Sequence, residues 1–206
     1  MADKIKVLVV DDHSIVRTGL VSLLRTKEDI KVVGDAASGD EAIEKAVRLK
    51  PNVVVMDLMM PGKDGVEATR EMLTLTNAKI LILTSFGSSD EIANALNAGA
   101  SGAILKSCNN SELVEAIRSV ARGKRTVADD IEQMLMEDPP IQKLSPRQTE
   151  ILESITRGLS TQQIAMQFEI SPNSVKRHLR FLFDKIGASN KAEAATIAIK
   201  KHLLKM

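Results

Sequence analysis

The sequence predicts an α/β domain with a doubly wound parallel sheet, followed by a small all-α domain. Three observations lead to this prediction. Continuous apolar runs alternate with segments of helical periodicity throughout residues 1–122. Residues 144–206 contain helix signals and no strand pattern, and they hold ten basic and five acidic residues, against 15 and 17 in residues 1–122. A basic module behind an acidic domain indicates anion binding, although such a patch is as often a solvated face.

The predicted sheet has five strands, each an apolar run suited to a position buried on both faces. The strands cover residues 5–10, 30–34, 53–56, 80–83 and 103–105. The first intervening helix has its apolar positions at Ile15, Leu20, Leu23 and Leu24. The others cover residues 40–49, 66–75, 91–98 and 111–121. Ser38 and Glu41 fit a capping box at the start of the second helix. Strict alternation predicts a (βα)5 unit, for which we expect the strand order 2-1-3-4-5.

Residues 123–143 are interpreted as a linker between the two domains. Gly123 ends the fifth helix, and apolar residues at positions 127, 131, 134 and 135 fit one amphipathic helix. Asp138-Pro139-Pro140 breaks that helix. We therefore expect a linker helix followed by a flexible hinge.

The domain at residues 144–206 is expected to contain four short helices. A serine stands at the predicted N-cap of the first three, at positions 145, 160 and 171. A glutamine three residues later completes a capping box in the first two, and proline takes the first helical position in the first and third. The fourth helix is predicted over residues 191–204.

The third of these helices has two contrasting faces. Its apolar face carries Val175, Leu179, Leu182, Phe183 and Ile186. The opposite side carries Asn173, Ser174, Lys176, Arg177, Arg180 and Asp184. A basic exposed face of this kind suits the major groove of DNA, where Arg and Lys meet guanine edges or phosphates. An ordinary solvated face explains the periodicity equally well.

Composition excludes several classes of protein. Cys108 is the only cysteine, so neither an internal disulfide nor a zinc site with paired-cysteine spacing is possible. Four phenylalanines, with no tryptophan or tyrosine, disfavour single-strand binding by base stacking. The sequence has no apolar run near the roughly 18 residues of a membrane span and no signal-peptide core, so we expect a cytoplasmic protein without membrane contact.

Polar side chains end four of the predicted strands. Asp11 and Asp12 follow the first, Asp57 the third, Thr84 the fourth and Lys106 the fifth. The expected strand order brings these carboxyl ends together. Crowded carboxylates repel one another, and a hard cation such as Mg²⁺ relieves that repulsion. A carboxylate beside Mg²⁺ is a candidate phosphoryl acceptor. Each Asp taken alone is better explained as a turn or a helix cap.

Enzymatic turnover at the same cluster is a second hypothesis. The first strand is not followed by a Gly-rich phosphate loop, which argues against a dinucleotide or Walker site. His13 is expected at the start of the first helix and not in a catalytic role. A phosphatase of the haloacid-dehalogenase type would need a second aspartate two residues after Asp57, where Met59 stands. We therefore predict that the protein is not an enzyme and has no catalytic residue.

Residues 1–122 resemble the CheY-like receiver domain of two-component response regulators, which is flavodoxin-like. The resemblance rests on VLVVDDHSIVRTGL, VVVMDLMMPGKDG, ILILTS and GAILK, in that order. It implies that Asp57 accepts a phosphoryl group from a sensor histidine kinase. It also implies that Asp12, Asp57 and the backbone carbonyl of Met59 bind Mg²⁺ directly, with Asp11 acting through water.

The same resemblance implies a switch hydroxyl at Thr84 and a phosphoryl-contacting lysine at Lys106. Receivers usually carry a switch aromatic three residues before that lysine, and this chain has Ala103 there. Phe86, two residues after Thr84, is a candidate to replace it in part. We therefore expect an incomplete switch.

The later segment LSPRQTEILESITRGLSTQQIAMQFEISPNSVKRHLRFLFDKIGASNKAEA resembles the helix-turn-helix output domain of LuxR-type and NarL/FixJ-type regulators. The resemblance implies that Lys176, Arg177 and Arg180 face the DNA groove. Ser174 shares their helix face. Thr161 would contact a phosphate at a helix N-terminus.

Together these features predict a phosphorylation-switched transcriptional regulator that binds double-stranded DNA. The alternative is a constitutive DNA-binding protein whose receiver serves as a dimerisation scaffold; the missing aromatic favours it and the intact acidic cluster disfavours it. We expect a homodimer, when phosphorylated, that reads two promoter half-sites. The last helix offers small apolar residues for a partner, although they equally suit the domain's own core: Ala194, Ala195, Ala198 and Ile199.

Overall fold

The computed structural model describes residues 3–85, 89–140, 144–201 and 203–204. The chain divides into two compact units, Met1–Pro139 and Pro140–Met206. The first unit holds the predicted α/β fold and the second unit is helical.

The first unit is built on a parallel sheet with the strand order β2-β1-β3-β4-β5-β6. Among the described residues the strands are β1 (Ile5–Val10), β2 (Ile30–Ala36), β3 (Val53–Asp57), β4 (Lys79–Thr84), β5 (Gly102–Leu105) and β6 (Thr126–Val127). The expected fold class and the order of the first five strands are confirmed. β-Branched residues dominate the central strand β3, which is buried along its whole length, as a strand covered on both faces requires.

Helices cover both faces of this sheet. They are α1 (Ser14–Arg25), α2 (Gly39–Leu49), α3 (Gly65–Leu75), α4 (Ser89–Asn97), α5 (Asn110–Ala121) and α6 (Asp129–Glu137). One face packs against α1 and α5, through residues such as Leu24 and Ile117. The other face packs against α2, α3, α4 and α6, through residues such as Met72 and Ile131. Alternate residues of β3 enter the two cores because successive side chains of a strand point to opposite faces.

The sheet extends one strand beyond the prediction. Val127, which was assigned to a linker helix, lies in β6 and pairs with Ala103 of β5. Gly102 allows this pairing, because a Cβ there would lie 2.2 Å from the carbonyl oxygen of Thr126. The expected helix begins two residues later as α6, and its Ile131 is fully buried in the core of the first unit. The prediction that this helix forms part of a linker was therefore wrong. Burial of Ile131 attaches α6 to the sheet of the first unit.

The predicted capping box of α2 forms only in part. The side chain of Ser38 accepts the N–H of Glu41 as expected. The Glu41 carboxylate, however, accepts the N–H of Ala37 and not that of Ser38. The Ala37 N–H therefore takes the place that the Ser38 N–H would have in a full capping box.

The second unit contains α7 (Pro146–Thr156), α8 (Thr161–Gln167), α9 (Pro172–Ile186) and α10 (Lys191–Lys200). Both predicted capping boxes are confirmed, and the side chain of Ser171 caps α9. The last helix ends four residues earlier than expected. Within the part of the chain that the structure describes, every helix is too short or too polar to span a membrane.

Candidate functional site

Four strand ends of the first unit converge as the sequence predicted. Asp11 follows β1, Asp57 is the last residue of β3, Thr84 is the last residue of β4, and Lys106 follows β5. The register explains the arrangement, because Asp57 pairs with Leu83 and Thr84 lies one residue further along the neighbouring strand. The groups share one edge of the sheet, where parallel α/β folds bind their ligands.

A lysine joins the two buried carboxylates of this site. Lys106 Nζ lies 2.7 Å from Asp57 Oδ2 and 2.7 Å from Asp11 Oδ2. Asp11 and Asp57 are only 1% and 3% exposed. Burial raises the pKa of Asp57, and the hydrogen bond from Lys106 opposes this effect without cancelling it. Burial alone would lower the pKa of Lys106, but its hydrogen bonds to Asp11 and Asp57 outweigh burial and raise that pKa.

A histidine lies beside the predicted cluster of strand-end carboxylates. His13 is the N-cap residue of α1, as predicted, but its Nδ1 also lies 2.8 Å from Asp12 Oδ1. Its backbone N–H donates to Asp11 Oδ1 at 2.8 Å. Ligand atoms of Asp11, Asp12, His13 and Asp57 all lie within 4.8 Å of one another. The His13 side chain is 68% exposed, so it can turn outward and free the Asp12 oxygen.

The cluster fits a hard divalent cation together with a phosphoryl group. Its carboxylates supply the oxygen ligands that Mg²⁺ prefers. Thr84 is fully buried, and its hydroxyl has no hydrogen-bond partner among the described residues. A buried hydroxyl without a partner is costly unless a ligand satisfies it. Met59, whose backbone was assigned to the metal, donates its N–H to Asp57 Oδ1 at 3.4 Å, and its side chain is exposed.

The start of α3 fixes the backbone around Asp57. The N–H of Gly65 donates to the carbonyl of Leu58 at 2.9 Å. A Cβ at Gly65 would lie 2.3 Å from the Asp57 carbonyl oxygen and 2.9 Å from Leu58 Cα. These are backbone atoms and cannot move without displacing the end of β3. A glycine is therefore required where α3 approaches the candidate acceptor.

Replacing Gly65 with alanine is expected to lower the free energy of unfolding by about 1–3 kcal/mol, since overpacked sites cost roughly that much. The same displacement should slow phosphoryl transfer to Asp57. Gly19→Ala is the matched control, because a Cβ at this position of α1 meets nothing within 4 Å. Alanine forms helices better than glycine, so this variant should be more stable by about 0.5–1 kcal/mol. Urea denaturation measures both effects, and equal stability of the two variants would contradict the predicted clash.

The position of the missing switch aromatic lies in the apolar core that also includes residues of α6. Ala103 is fully buried, and it belongs to the same apolar cluster as Ile131 of α6. Met134 and Leu135 of α6 pack against that cluster. The proposed substitute, Phe86, lies outside the described residues. The small side chain at Ala103 and the apolar residues of α6 thus belong to one core.

Helix α9 of the second unit presents the predicted cationic surface. Val175, Leu179, Leu182 and Ile186 are buried in the core of this unit. Lys176, Arg177 and Arg180 are exposed. The expected division of the helix into an apolar and a basic face is therefore confirmed.

Two other predicted contact residues lie at helix starts. Thr161 is the first residue of α8 and is half-buried behind the cap Ser160. Ser174 lies in the first turn of α9, where its N–H donates to Ser171 Oγ at 3.1 Å. Its own hydroxyl lies 3.0 Å from Ser171 Oγ, so it takes part in the cap. Phe181 of α9, for which no role was predicted, is 59% exposed.

Comparison with known proteins agrees with both halves of this description. Residues 7–118 match the family described as response regulator receiver domain, and residues 142–198 match bacterial regulatory proteins of the luxR family. The chain therefore belongs to the response regulators of the NarL/FixJ type, which are two-component transcriptional regulators.

Individual relatives share this domain arrangement over their whole length. The response regulator protein VraR of Staphylococcus aureus is 38% identical over 206 residues, which cover 97% of this chain and 99% of VraR. The crystal structure of ChrA, a response regulator of a heme-sensing two-component system, is 37% identical, with a TM-score of 0.59 over 98% of this chain and 99% of ChrA. The response regulator RcsB in complex with DNA has the same fold, at 23% identity and a TM-score of 0.71 over 97% of this chain and 99% of RcsB.

Proposed function

We propose that this regulator is switched by phosphorylation of Asp57, which receives the group from a sensor histidine kinase in the presence of Mg²⁺. The observation that carries the proposal is the environment of Asp57: a buried carboxylate in contact with Lys106, beside other carboxylates, with the unpartnered hydroxyl of Thr84 at the next strand end. Structural ion pairs alone would leave that hydroxyl without a role.

Each group has a distinct part in the proposed transfer. An Asp57 carboxylate oxygen forms the bond to phosphorus while the bond from phosphorus to the kinase histidine breaks, and the imidazole leaves with the electron pair. Lys106 contacts one phosphoryl oxygen, and the Thr84 hydroxyl donates to another. Mg²⁺, when bound, offsets the charge of the carboxylates and the phosphoryl group. Asp12, Asp57 and the Met59 carbonyl would hold it directly, and Asp11 through water.

DNA binding is assigned to the exposed face of α9, with Lys176, Arg177 and Arg180 as its cations. The relative RcsB has been solved in complex with DNA, which supports the assignment for this fold. Thr161 and Ser174, at the starts of α8 and α9, are proposed to position the phosphate backbone.

The proposed regulator acts as a homodimer, because one recognition helix covers only a short half-site. Ala194 and Ala198 of α10 are buried in the core of their own unit. Ile199 is 61% exposed and Ala195 is half-buried. Ala195 and Ile199 are therefore the predicted dimer-contact residues of α10 whose side chains can still reach a partner.

A constitutive DNA-binding protein with a scaffold receiver is the second candidate. It is favoured by Ala103, because the usual aromatic link between Thr84 and the receiver surface is missing. The two candidates differ in one measurable property, which is whether phosphorylation changes DNA affinity.

We expect acetyl phosphate with Mg²⁺ to raise the operator affinity of the full chain by a factor at the lower end of roughly 5–150, the usual range of allosteric coupling. Basal binding should be measurable because Ala103 weakens the switch. Fluorescence anisotropy at one fixed salt concentration gives the affinities, since salt alone shifts them strongly. Asp57→Ala should not respond to the phosphodonor. Equal affinities of the wild type with and without phosphodonor would favour the scaffold, and protection of a single half-site in a footprint would contradict the dimer.

A further inference from the structure

An aromatic side chain lies exposed on the basic face of α9. Phe181 is 59% exposed, whereas Phe168 and Phe183 pack against the core of the second unit. Phe181 follows Arg177 by four residues and precedes Asp184 by three, so these residues lie on one side of the helix. The apolar face of α9 is already formed by other side chains, and Phe181 adds nothing to it. Its side chain is therefore free to contact an external partner.

The neighbours of Phe181 restrict the chemistry of that partner. Lys176, Arg177, Arg180, Phe181 and Asp184 line a surface concavity of about 530 Å³. Three cations around an apolar side chain favour a polyanion over an apolar protein surface. Asp184 repels phosphate, so this part of the concavity suits base edges better than the DNA backbone. A carboxylate can accept a hydrogen bond from the amino group of cytosine.

Within the major groove, one base edge offers an apolar group to a side chain, and that group is the C5-methyl of thymine. We propose that Phe181 is a specificity-determining residue that contacts a thymine methyl in each half-site. This inference rests on the proposed binding of α9 to DNA and adds a base preference to it. It differs from the roles of Arg177 and Arg180, which meet guanine edges or phosphates.

Removal of single methyl groups from the DNA tests this contact directly. Duplexes are first selected from a random pool by the full chain with acetyl phosphate and Mg²⁺. Each thymine of the selected site is then replaced by deoxyuridine, which removes only the methyl group. We expect about four-fold weaker binding of the wild type at one position per half-site, the value for one buried methyl-sized group. Phe181→Ala should bind thymine and deoxyuridine equally well at that position.

Met166→Ala is the matched control, since Met166 is an apolar residue of α8 that is 74% exposed. This variant should keep the wild-type preference for thymine. Equal thermal unfolding midpoints of the two variants exclude misfolding, which exposed positions should not cause. The inference is wrong if the wild type binds its site but ignores every deoxyuridine, or if Phe181→Ala keeps the preference; the proposed DNA binding then still stands. Failure of the wild type to select any duplex would instead overturn both.

Discussion

Asp57→Ala is expected to abolish phosphoryl labelling of the chain by acetyl phosphate. Asp57 is the carboxylate that ends the central strand β3, and both Lys106 and the Thr84 hydroxyl are placed to meet a group attached to it. The variant should remain folded, because Lys106 keeps its ion pair with Asp11. Intact-mass measurement should show labelled wild type and unlabelled variant, and chelation of Mg²⁺ before the phosphodonor is added should prevent labelling of the wild type.

Glu44→Ala is the control for a general loss of negative charge. Glu44 is an exposed carboxylate in the middle of α2 that pairs with Arg48 of the same helix and does not belong to the strand-end cluster. Its variant should be labelled at the wild-type rate. If Asp57→Ala retains most of the label, the acceptor is another residue and the assignment of Asp57 is wrong.

The strand-end cluster could be predicted from the sequence because its geometry follows from two local features. Apolar runs define the parallel strands, and a parallel sheet gathers their carboxyl ends at one edge. Asp11, Asp57, Thr84 and Lys106 therefore follow once the runs are recognised. The helix caps of the second unit were equally local, since each depends on a side chain three residues from its backbone donor.

The sixth strand of the sheet could not be predicted from the sequence in the same way. β6 has only two residues, too few to show any periodicity, and its pairing depends on the space beside Gly102. Val127 fits a helix or a strand when its sequence neighbours alone are considered. Tertiary contacts with β5 decide between them, and the burial of Ile131 then holds α6 on the sheet.

Two candidate functional residues were missed for different reasons. His13 was correctly placed at the start of α1, but its proximity to Asp12 depends on a side-chain orientation that spacing does not fix. Phe181 could have been recognised, because a helix turns by about 100° per residue. Two positions before Phe183, Phe181 falls nearly opposite to it and so leaves the apolar face.

Replacing both Arg177 and Arg180 with alanine is expected to weaken operator binding about 100-fold. Each arginine that contacts a base or phosphate contributes about 1–3 kcal/mol, and ten-fold per residue lies within that range. If both arginines contact phosphates, the slope of log affinity against log salt concentration should fall by about 1.8. If the two arginines contact guanine edges instead, the substitutions should change this slope less and should relax the base preference. Affinities measured between about 50 and 200 mM salt separate these two modes of recognition.

Arg157→Ala combined with Lys200→Ala provides a control with the same loss of charge. Arg157 follows α7 and Lys200 ends α10, so both are exposed cations that do not belong to α9. This pair should weaken binding by less than about three-fold, since distant charges act through a screened long-range field. If the control loses as much affinity as the α9 pair, the basic charge of the unit attracts DNA without α9 entering the groove. If the α9 pair loses none, the groove-facing role of Arg177 and Arg180 is wrong, because removing contacts to a polyanion must cost affinity.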